Sequence, residues 1–236
     1  MKASVKTKTA PKMSSEDRRA AIVKAVRRVF AEKGFYGTTT RALAEAAGVS
    51  EALLFKHCPN KEALFSAMQL SCVSAEDLER RERLMSLEPS ASTVVLMVHF
   101  MVSRIIGWCT SHDDDQIIHH RLMLRSLAEN GEFARHILQQ KAAGWIEKLD
   151  EGMKAAVAAG EAHPGPVQPR LGGWFVHHLA VMTMTYLLPD TPVVDYGVPR
   201  DKLVEQIVGF ALRGMGLKEE SIKRHYNPRA LALFRE

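Results

Sequence analysis

The chain has 236 residues, a formal net charge of +5 and a hydrophobic content of 46%, which is enough for one large domain or two modest ones with a buried core. Its cysteines, Cys58, Cys72 and Cys109, form no CxxC pair and suit a reducing compartment better than secretion. No apolar run approaches the ~20 residues that cross a bilayer, and the N-terminus lacks the apolar core of a signal peptide. We therefore expect a soluble cytoplasmic protein whose cysteines are small apolar residues.

The positive charge is concentrated at one end of the sequence. Residues 1–61 contain 13 lysines and arginines against 5 acidic residues, a balance of +8, whereas the rest of the chain has a balance of −3. A concentrated positive field raises the encounter rate and the affinity with phosphate backbones. The asymmetry indicates a polyanionic partner for the N-terminal part, although solvated helix faces with a basic tail would have the same composition.

The first elements along the chain are a basic arm and an amphipathic helix. Residues 1–14 hold four lysines and no acidic residue, so we expect a disordered arm that either follows DNA or is a solubilising tail. Ser14 or Ser15 is a suitable N-cap for the helix, and Gly34 ends it. Its apolar face is predicted to hold Ile22, Val26, Val29 and Phe30. Its exposed face is predicted to hold Lys24, Arg27 and Arg28.

Two short helices with a glycine between them follow. The threonines at 38–40 can cap RALAEAA, and Ser50 can cap EALLFKH, which ends before Pro59-Asn60. Helices of barely two turns are not stable alone, so they must pack on their neighbours. Gly48 permits a positive φ in a three- to four-residue turn between them. The pattern predicts a helix-turn-helix followed by a longer helix from Lys61 to about residue 85.

Beyond residue 85 the pattern is helical, with no alternating strand signal. Proline and glycine punctuate five predicted helices, at about 90–111, 114–130, 132–160, 169–188 and 199–215. The fold class is therefore predicted to be all-α.

The residues of the helix-turn-helix and its flanks resemble the TetR family of transcriptional regulators. FAEKGF at the end of the first helix and TTTRALAEAAGVSEALLFKHCPNKEALF after it carry the resemblance, which covers residues 15–68 closely and the rest only in architecture. It implies a three-helix DNA-binding domain at 15–61, a helical ligand-binding and dimerisation domain at 62–218 and a C-terminal tail at 219–236. It also implies a homodimeric repressor that a small molecule releases from a palindromic double-stranded DNA operator.

The resemblance also assigns roles to individual residues of the motif. The threonines at the start of the first motif helix correspond to phosphate contacts, the exposed residues of the second to base contacts, and three later residues to clamps on the DNA backbone. The full set is Thr38, Thr39, Thr40, Arg41, Ser50, Glu51, Ala52, Leu53, Phe55, Lys56, His57 and Lys61. Lys56 can donate to guanine and Glu51 can accept from cytosine N4.

Three positions depart from the family pattern. Phe55 stands where a tyrosine usually donates its hydroxyl to a phosphate, Cys58 replaces a usual phenylalanine, and Ala52 replaces a common glycine. These changes alter the expected contacts without removing the motif. We predict that Leu43, Val49 and Leu54 are core residues and do not contact bases.

If the resemblance holds, the larger domain must dimerise and bind an effector. The helices near 169–188 and 199–215 are apolar around their circumference and contain small residues, so they are the predicted dimer helices. An apolar or aromatic effector could be lined by a set of mostly aromatic residues that could equally be plain core. This set is Phe100, Trp108, Met123, Trp145, Trp174, Phe175 and His178.

Histidine is frequent in this domain, with His99, His112 and adjacent pairs at 119–120 and 177–178. Neighbours on a helix point about 100° apart, and neither HxxxH nor HExxH occurs, so surface or hydrogen-bonded core histidines are favoured over a metal site. No glycine-rich phosphate loop, GxSxG or partnered cysteine nucleophile is present, and we expect neither an enzyme nor a cofactor. Two other classes stay open: a helical small-molecule-binding protein or enzyme with a vestigial motif, and a nonspecific DNA binder.

Overall fold

The computed structural model describes residues 13–70, 75–107, 114–165, 167–228 and 231. These residues form twelve α-helices and no β-strand beyond an isolated bridge between Ala162 and Leu217. In chain order the helices are α1 (Ser15–Gly37), α2 (Thr40–Ala47), α3 (Glu51–His57), α4 (Lys61–Leu70), α5 (Ala75–Ser86), α6 (Ala91–Gly107), α7 (Asp114–Ala128), α8 (Glu132–Lys141), α9 (Ala143–Ala158), α10 (Pro169–Leu187), α11 (Arg200–Gly214) and α12 (Glu219–His225). The all-α prediction is confirmed.

The basic arm over residues 1–12, together with Cys72, Trp108, Cys109, His112 and the side chain of His119, lies outside the described residues.

The chain divides into two compact units, with the division between residues 72 and 73. The first unit extends past the predicted boundary at residue 61 because α4 packs against α1. Phe65 of α4 lies edge-on to Phe30 of α1, with ring centroids 4.9 Å apart, and 5.0 Å from Phe35. The aromatic contacts make α4 part of the N-terminal core.

Helix α1 begins and breaks where the sequence predicts. The Asp17 N–H donates to Ser14 Oγ over 3.0 Å, which caps the first turn. Gly34 leaves the helical conformation at a φ of 70°, so the regular helix ends there. The apolar prediction is confirmed for the buried residues Ile22, Val26 and Phe30.

The prediction that Arg27 stays exposed is wrong, since its residue is 6% exposed. Arg27 lies four residues after Val23 and three before Phe30, which places all three on the same side of the helix. Lys24 and Arg28 are exposed as predicted.

Helix α6 is the central element of the second unit. It packs against α9, α10, α11 and α12, and most of its residues are buried. It lies close to α9 at Gly152, where an added Cβ would lie 2.7 Å from Val94 Cγ2 of α6. Because Gly152 has no side chain, α6 and α9 can pack closely at this position.

Replacing Gly152 with alanine is expected to lower the free energy of unfolding by about 1–3 kcal/mol, because the added methyl overlaps Val94. Denaturant unfolding followed by tryptophan fluorescence measures this, since all three tryptophans lie after residue 72. Gly144→Ala in the same helix is the matched control, because its Cβ would meet only Met85 Cε at 3.9 Å. Equal stability of the two variants would contradict the close approach.

One predicted helix boundary is wrong, and the C-terminal segment contains a helix that was not predicted. The helix predicted at 132–160 is two helices, α8 and α9, separated at Ala142, where φ reaches −100°. The predicted tail after residue 218 contains α12, whose Ser221 and Ile222 are buried.

Helix α12 is joined to the segment after α9 by polar contacts. Glu161 Oε1 accepts from Arg224 over 2.8 Å and lies 3.1 Å from His225 Nε2, and the Lys218 N–H donates to the Glu161 carbonyl. Buried Ile222 and the ion pair between Glu161 and Arg224 together hold α12 on the core.

Candidate nucleic-acid interface

The turn between α2 and α3 has the conformation that the sequence predicts. Gly48 is left-handed, with φ 64° and ψ 30°, and the Val49 N–H donates to the Ala44 carbonyl over 3.0 Å. A Cβ at Gly48 would meet nothing within 4 Å, so glycine is required by conformation and not by space. The Leu53 N–H donates to Ser50 Oγ at the start of α3. The predicted helix-turn-helix is confirmed.

A small apolar core supports this turn. Leu43 of α2 and Leu54 of α3 are fully buried, as predicted, whereas Val49 in the turn is only half-buried. Cys58, directly after α3, is 1% exposed and belongs to the same unit's core. Cys58 stands where the resemblance implies a phenylalanine. Because Cys58 is buried, this difference affects the packing beneath α3 and not the outer face of α3.

The outer face of α3 carries the residues predicted to read bases. Glu51, Ala52 and Lys56 are exposed, while Leu53, Phe55 and His57 are half-buried. The exposed residues of α3 therefore include a carboxylate, an ammonium group and the methyl group of Ala52. Such a mixture matches the donors, acceptors and thymine methyls of a major groove.

The three consecutive threonines around the start of α2 have three different roles. Thr38 is buried and donates its hydroxyl to the Gly34 carbonyl over 2.5 Å, which ties the end of α1. Thr39 is exposed and caps α2 by accepting from the Ala42 N–H over 3.2 Å. Thr40 donates to Glu51 Oε2 over 2.7 Å. Sequence alone does not separate these roles, because they depend on which way each side chain turns.

Lys61 begins α4, which Asn60 caps by accepting from the Ala63 N–H over 2.7 Å. The Lys61 ammonium lies 4.4 Å from the ring centroid of Phe35, a cation–π geometry. Partial burial lowers the pKa of Lys61, and neighbouring Glu62 acts in the opposite direction. Sequence reasoning missed Phe35 as the support of this lysine.

Two further residues lie on the surface of the same unit. Arg41, in the predicted set, is exposed and pairs with Glu45 over 3.0 Å. Tyr36 is 63% exposed and packs edge-on against Phe35, with centroids 5.3 Å apart. Sequence reasoning did not single out Tyr36, although an aromatic residue in a glycine-flanked turn is itself a signal of an exposed contact.

The predicted effector-lining residues of the second unit fall into two groups. Phe100 and buried Trp145 stack with centroids 5.6 Å apart, and Met123 and Trp174 are half-buried. Phe175 and His178 are exposed instead, with His178 stacked on Trp174. Of the first group, Trp145 belongs to the core of the second unit, and Phe100 and Trp174 pack against that core.

Trp145 has an unusual polar feature. Its indole Nε1 is buried and has no hydrogen-bond partner in the described part of the chain. Buried indole N–H groups normally find an acceptor, so this donor departs from the usual pattern.

Helices α10 and α11 carry large apolar side chains on their outer surface. Along α10 they recur with helical spacing at Leu171, Phe175, Met182 and Tyr186, each at least 40% exposed. On α11, Phe210 is 70% exposed. We call these five residues the apolar face.

Histidines in the second unit are mostly core or surface groups. His99 and His120 are buried, while His136 and His178 are exposed. The Thr185 hydroxyl donates to the Val181 carbonyl and therefore accepts from His120 Nε2–H, 2.9 Å away. No group of three histidine, cysteine or acidic side chains suited to a metal occurs among the described residues.

Burial of His120 predicts a pH-dependent stability. Burial lowers the pKa of His120 to about 4, so the unfolded chain binds a proton below about pH 6.5 that the folded chain does not. The free energy of unfolding should therefore fall as pH drops from 6.5 towards 4, by up to about 3 kcal/mol from this group. Burial and neighbouring His178 also lower the pKa of His177 to about 4, with the same sign.

Denaturant unfolding at pH 7, 6 and 5 checks this prediction. His120→Gln should show a shallower pH dependence than the unchanged chain, whereas His136→Gln, at an exposed position, should keep the original dependence. Parallel pH curves for His120→Gln and the unchanged chain would contradict it.

The geometry defines the class of the N-terminal unit as a helix-turn-helix domain. Residues 22–68 match the family described as bacterial regulatory proteins, tetR family. The HTH-type transcriptional repressor Rv1474c of Mycobacterium tuberculosis is 38% identical over 81 residues, which cover 33% of this chain and 41% of that repressor. The match thus spans less than half of the curated relative. The resemblance to the TetR family is confirmed over residues 22–68.

Solved structures share the fold over most of the chain. NalD, the secondary repressor of the MexAB-OprM multidrug efflux pump in Pseudomonas aeruginosa, has a TM-score of 0.64 and 24% identity, covering 87% of this chain and 98% of NalD. AibR, solved with isovaleryl coenzyme A and operator DNA, has a TM-score of 0.56 and 19% identity, covering 82% of this chain and 97% of AibR. At identities below 25% these similarities establish the fold alone. They cover residues of both units.

The described helices include none with the length and apolar character needed to span a membrane.

Proposed function

We propose that the protein is a dimeric, ligand-responsive transcriptional repressor that binds a palindromic operator with one α3 per half-site. The observation that carries this proposal is the exposed polar face of α3 on a capped helix-turn-helix, in the part of the chain where residues 1–61 have a charge balance of +8. Phosphate contacts set the position of such a domain and base contacts give its specificity. Its site of action is then the cytoplasm, where the DNA lies.

For the backbone contacts we assign Thr39, Arg41, Ser50, His57 and Lys61, and for the base contacts the exposed residues of α3. Thr39 and Ser50 stand at helix N-termini, where N–H groups and the helix dipole favour phosphate. Phe55 supplies packing only. Thr38 is left out of the interface, since its hydroxyl is buried against Gly34.

The apolar face supports dimerisation through α10 and α11. Large apolar side chains at helical spacing on a solvent-facing surface are characteristic of an interface. A second copy of the chain would cover this face on both protomers about a two-fold axis and complete a four-helix bundle. Phe175 and His178 then belong to the dimer interface and not to an effector site.

For the effector we propose an apolar or aromatic small molecule with a hydrogen-bond acceptor. Trp145 and Phe100 offer stacked aromatic surface, and the unpartnered Trp145 Nε1–H would donate to the acceptor. AibR, which has the same fold, is solved with an acyl coenzyme A, so acyl thioesters join aromatic compounds in a first screen. Binding would favour a conformation that no longer fits the operator, a coupling usually worth about 1–3 kcal/mol.

Selection of bound DNA from a random pool at near-physiological salt tests the proposal. A two-fold symmetric enriched motif is expected, and it should be bound about 10³-fold or more tightly than unrelated DNA. Enrichment of all sequences alike would indicate a nonspecific binder. Absence of any salt-dependent DNA binding would indicate a vestigial motif in a small-molecule-binding protein.

The enriched DNA then serves as the probe for the effector. Compounds are scored by release of the labelled operator and by quenching of tryptophan fluorescence, which reports on the second unit. One outcome is that a compound releases the DNA without quenching the tryptophan fluorescence of the DNA-free protein. Such a result would contradict an effector site in the second unit.

A further inference from the structure

The hydroxyl of Thr40 and the carboxylate of Glu51 join the two helices of the motif at their N-terminal ends. Thr40 is the first residue of α2 and Glu51 the first of α3, and Thr40 Oγ1 donates to Glu51 Oε2 over 2.7 Å. The direction is fixed, because a carboxylate at neutral pH has no proton to donate. The family resemblance had placed Thr40 among the phosphate contacts.

A phosphate contact at Thr40 conflicts with this geometry. A hydroxyl has a single proton, and that of Thr40 is used by Glu51. A phosphate oxygen brought to the same hydroxyl would also lie beside the Glu51 carboxylate, and like charges at this distance repel. Thr39 has neither restriction: its oxygen accepts from the Ala42 N–H, and its own proton has no acceptor among the described residues.

The same hydrogen bond orders an otherwise free side chain. Glu51 is exposed, and an exposed glutamate loses rotamer entropy when it is fixed against a base. With Oε2 held by Thr40, the other carboxylate oxygen remains without a partner in the described structure and can accept from a base amino group such as cytosine N4. Ordering before binding lowers the entropic cost of that contact.

We propose that Thr40 is a positioning residue that holds Glu51 for reading one base pair, and that phosphate contact at the start of α2 belongs to Thr39. This inference rests on the proposed function. It assigns base specificity to a pair of residues on two helices, where the family pattern implies a backbone contact and a separate base contact.

The experiment compares DNA selection and binding titrations for the unchanged chain, Thr40→Val, Thr40→Ser, Glu51→Ala and Thr39→Val. Glu51→Ala identifies the base pair that Glu51 reads as the position where preference is relaxed. At that pair Thr40→Val should lower discrimination about 3- to 10-fold, with affinity for unrelated DNA unchanged. Thr40→Ser, which keeps the hydroxyl, should discriminate at that base pair as well as the unchanged chain does.

Two controls separate positioning from phosphate contact. In a Glu51→Ala background Thr40→Val should have no further effect, since there is no carboxylate left to position. Thr39→Val should lower affinity for all sequences alike without changing base preference. Thermal unfolding of each variant distinguishes loss of a helix cap from loss of a DNA contact.

An even loss of affinity in Thr40→Val across all sequences, or unchanged discrimination at the Glu51 base pair, would overturn the inference while leaving the proposed function in place. Failure of the unchanged chain to enrich a symmetric motif would overturn both.

Discussion

Phe210→Glu should convert the protein from a dimer to a monomer and lower its operator affinity by about 100-fold or more. Phe210 is 70% exposed in the C-terminal half of the proposed dimer helix α11, so the glutamate would be buried without a partner in each protomer of the dimer. Burying an unpaired charge costs several kcal/mol, and the two-fold axis applies that cost twice. A monomer loses the effective concentration by which one bound half-site assists the other.

Light scattering coupled to size-exclusion chromatography gives the oligomeric state, and titration with the selected operator gives the affinity. Gln139→Glu introduces the same residue at an exposed position of α8, away from the apolar face, and should leave both quantities unchanged. A Phe210→Glu protein that remains dimeric would refute the assignment of this surface.

Lys61→Ala should weaken binding to every DNA sequence and reduce the salt dependence of that binding. A dimer would lose two phosphate contacts, so the slope of log K against log salt should become shallower by about 2. Affinity should fall by about 10- to 100-fold, because each charged contact is worth about 1 kcal/mol or more. Base preference should not change, since a phosphate carries no sequence information.

Lys61→Arg and Lys154→Ala are the matched controls for this prediction. The arginine keeps the charge over the Phe35 ring and should preserve the slope, while Lys154 lies exposed on α9 and should make no difference. Because the cation–π contact also contributes about 0.5–1 kcal/mol to folding, thermal unfolding of Lys61→Ala must be measured alongside. An unchanged salt slope would remove Lys61 from the interface.

The sequence predicts the local features of the N-terminal unit well because they have local causes. A hydroxyl or amide residue before each helix and the glycine between α2 and α3 act within a few residues of chain, and the structure has caps at Ser14, Thr39, Ser50 and Asn60. The buried positions of Leu43 and Leu54 follow from helical periodicity in the same way.

Features that depend on contacts between distant residues are not predicted. The link between Thr40 and Glu51, the stacking of Lys61 on Phe35 and the packing of α12 each join residues that no spacing rule connects. The break at Ala142 was missed because no proline marks it. Phe175 could not be placed inside or outside from sequence, since both faces of α10 are apolar.

The small buried fraction of α3 has an evolutionary consequence. Leu54 is the only fully buried residue among its seven, so the side chains that face outward can be exchanged with little effect on folding. Substitutions at exposed sites usually change stability by less than about 0.5 kcal/mol. If α3 reads bases as proposed, single mutations at Glu51, Ala52 or Lys56 would give descendants of this sequence new operators while the domain continues to fold. In such a domain the base preference can change faster during evolution than the buried residues that maintain the fold.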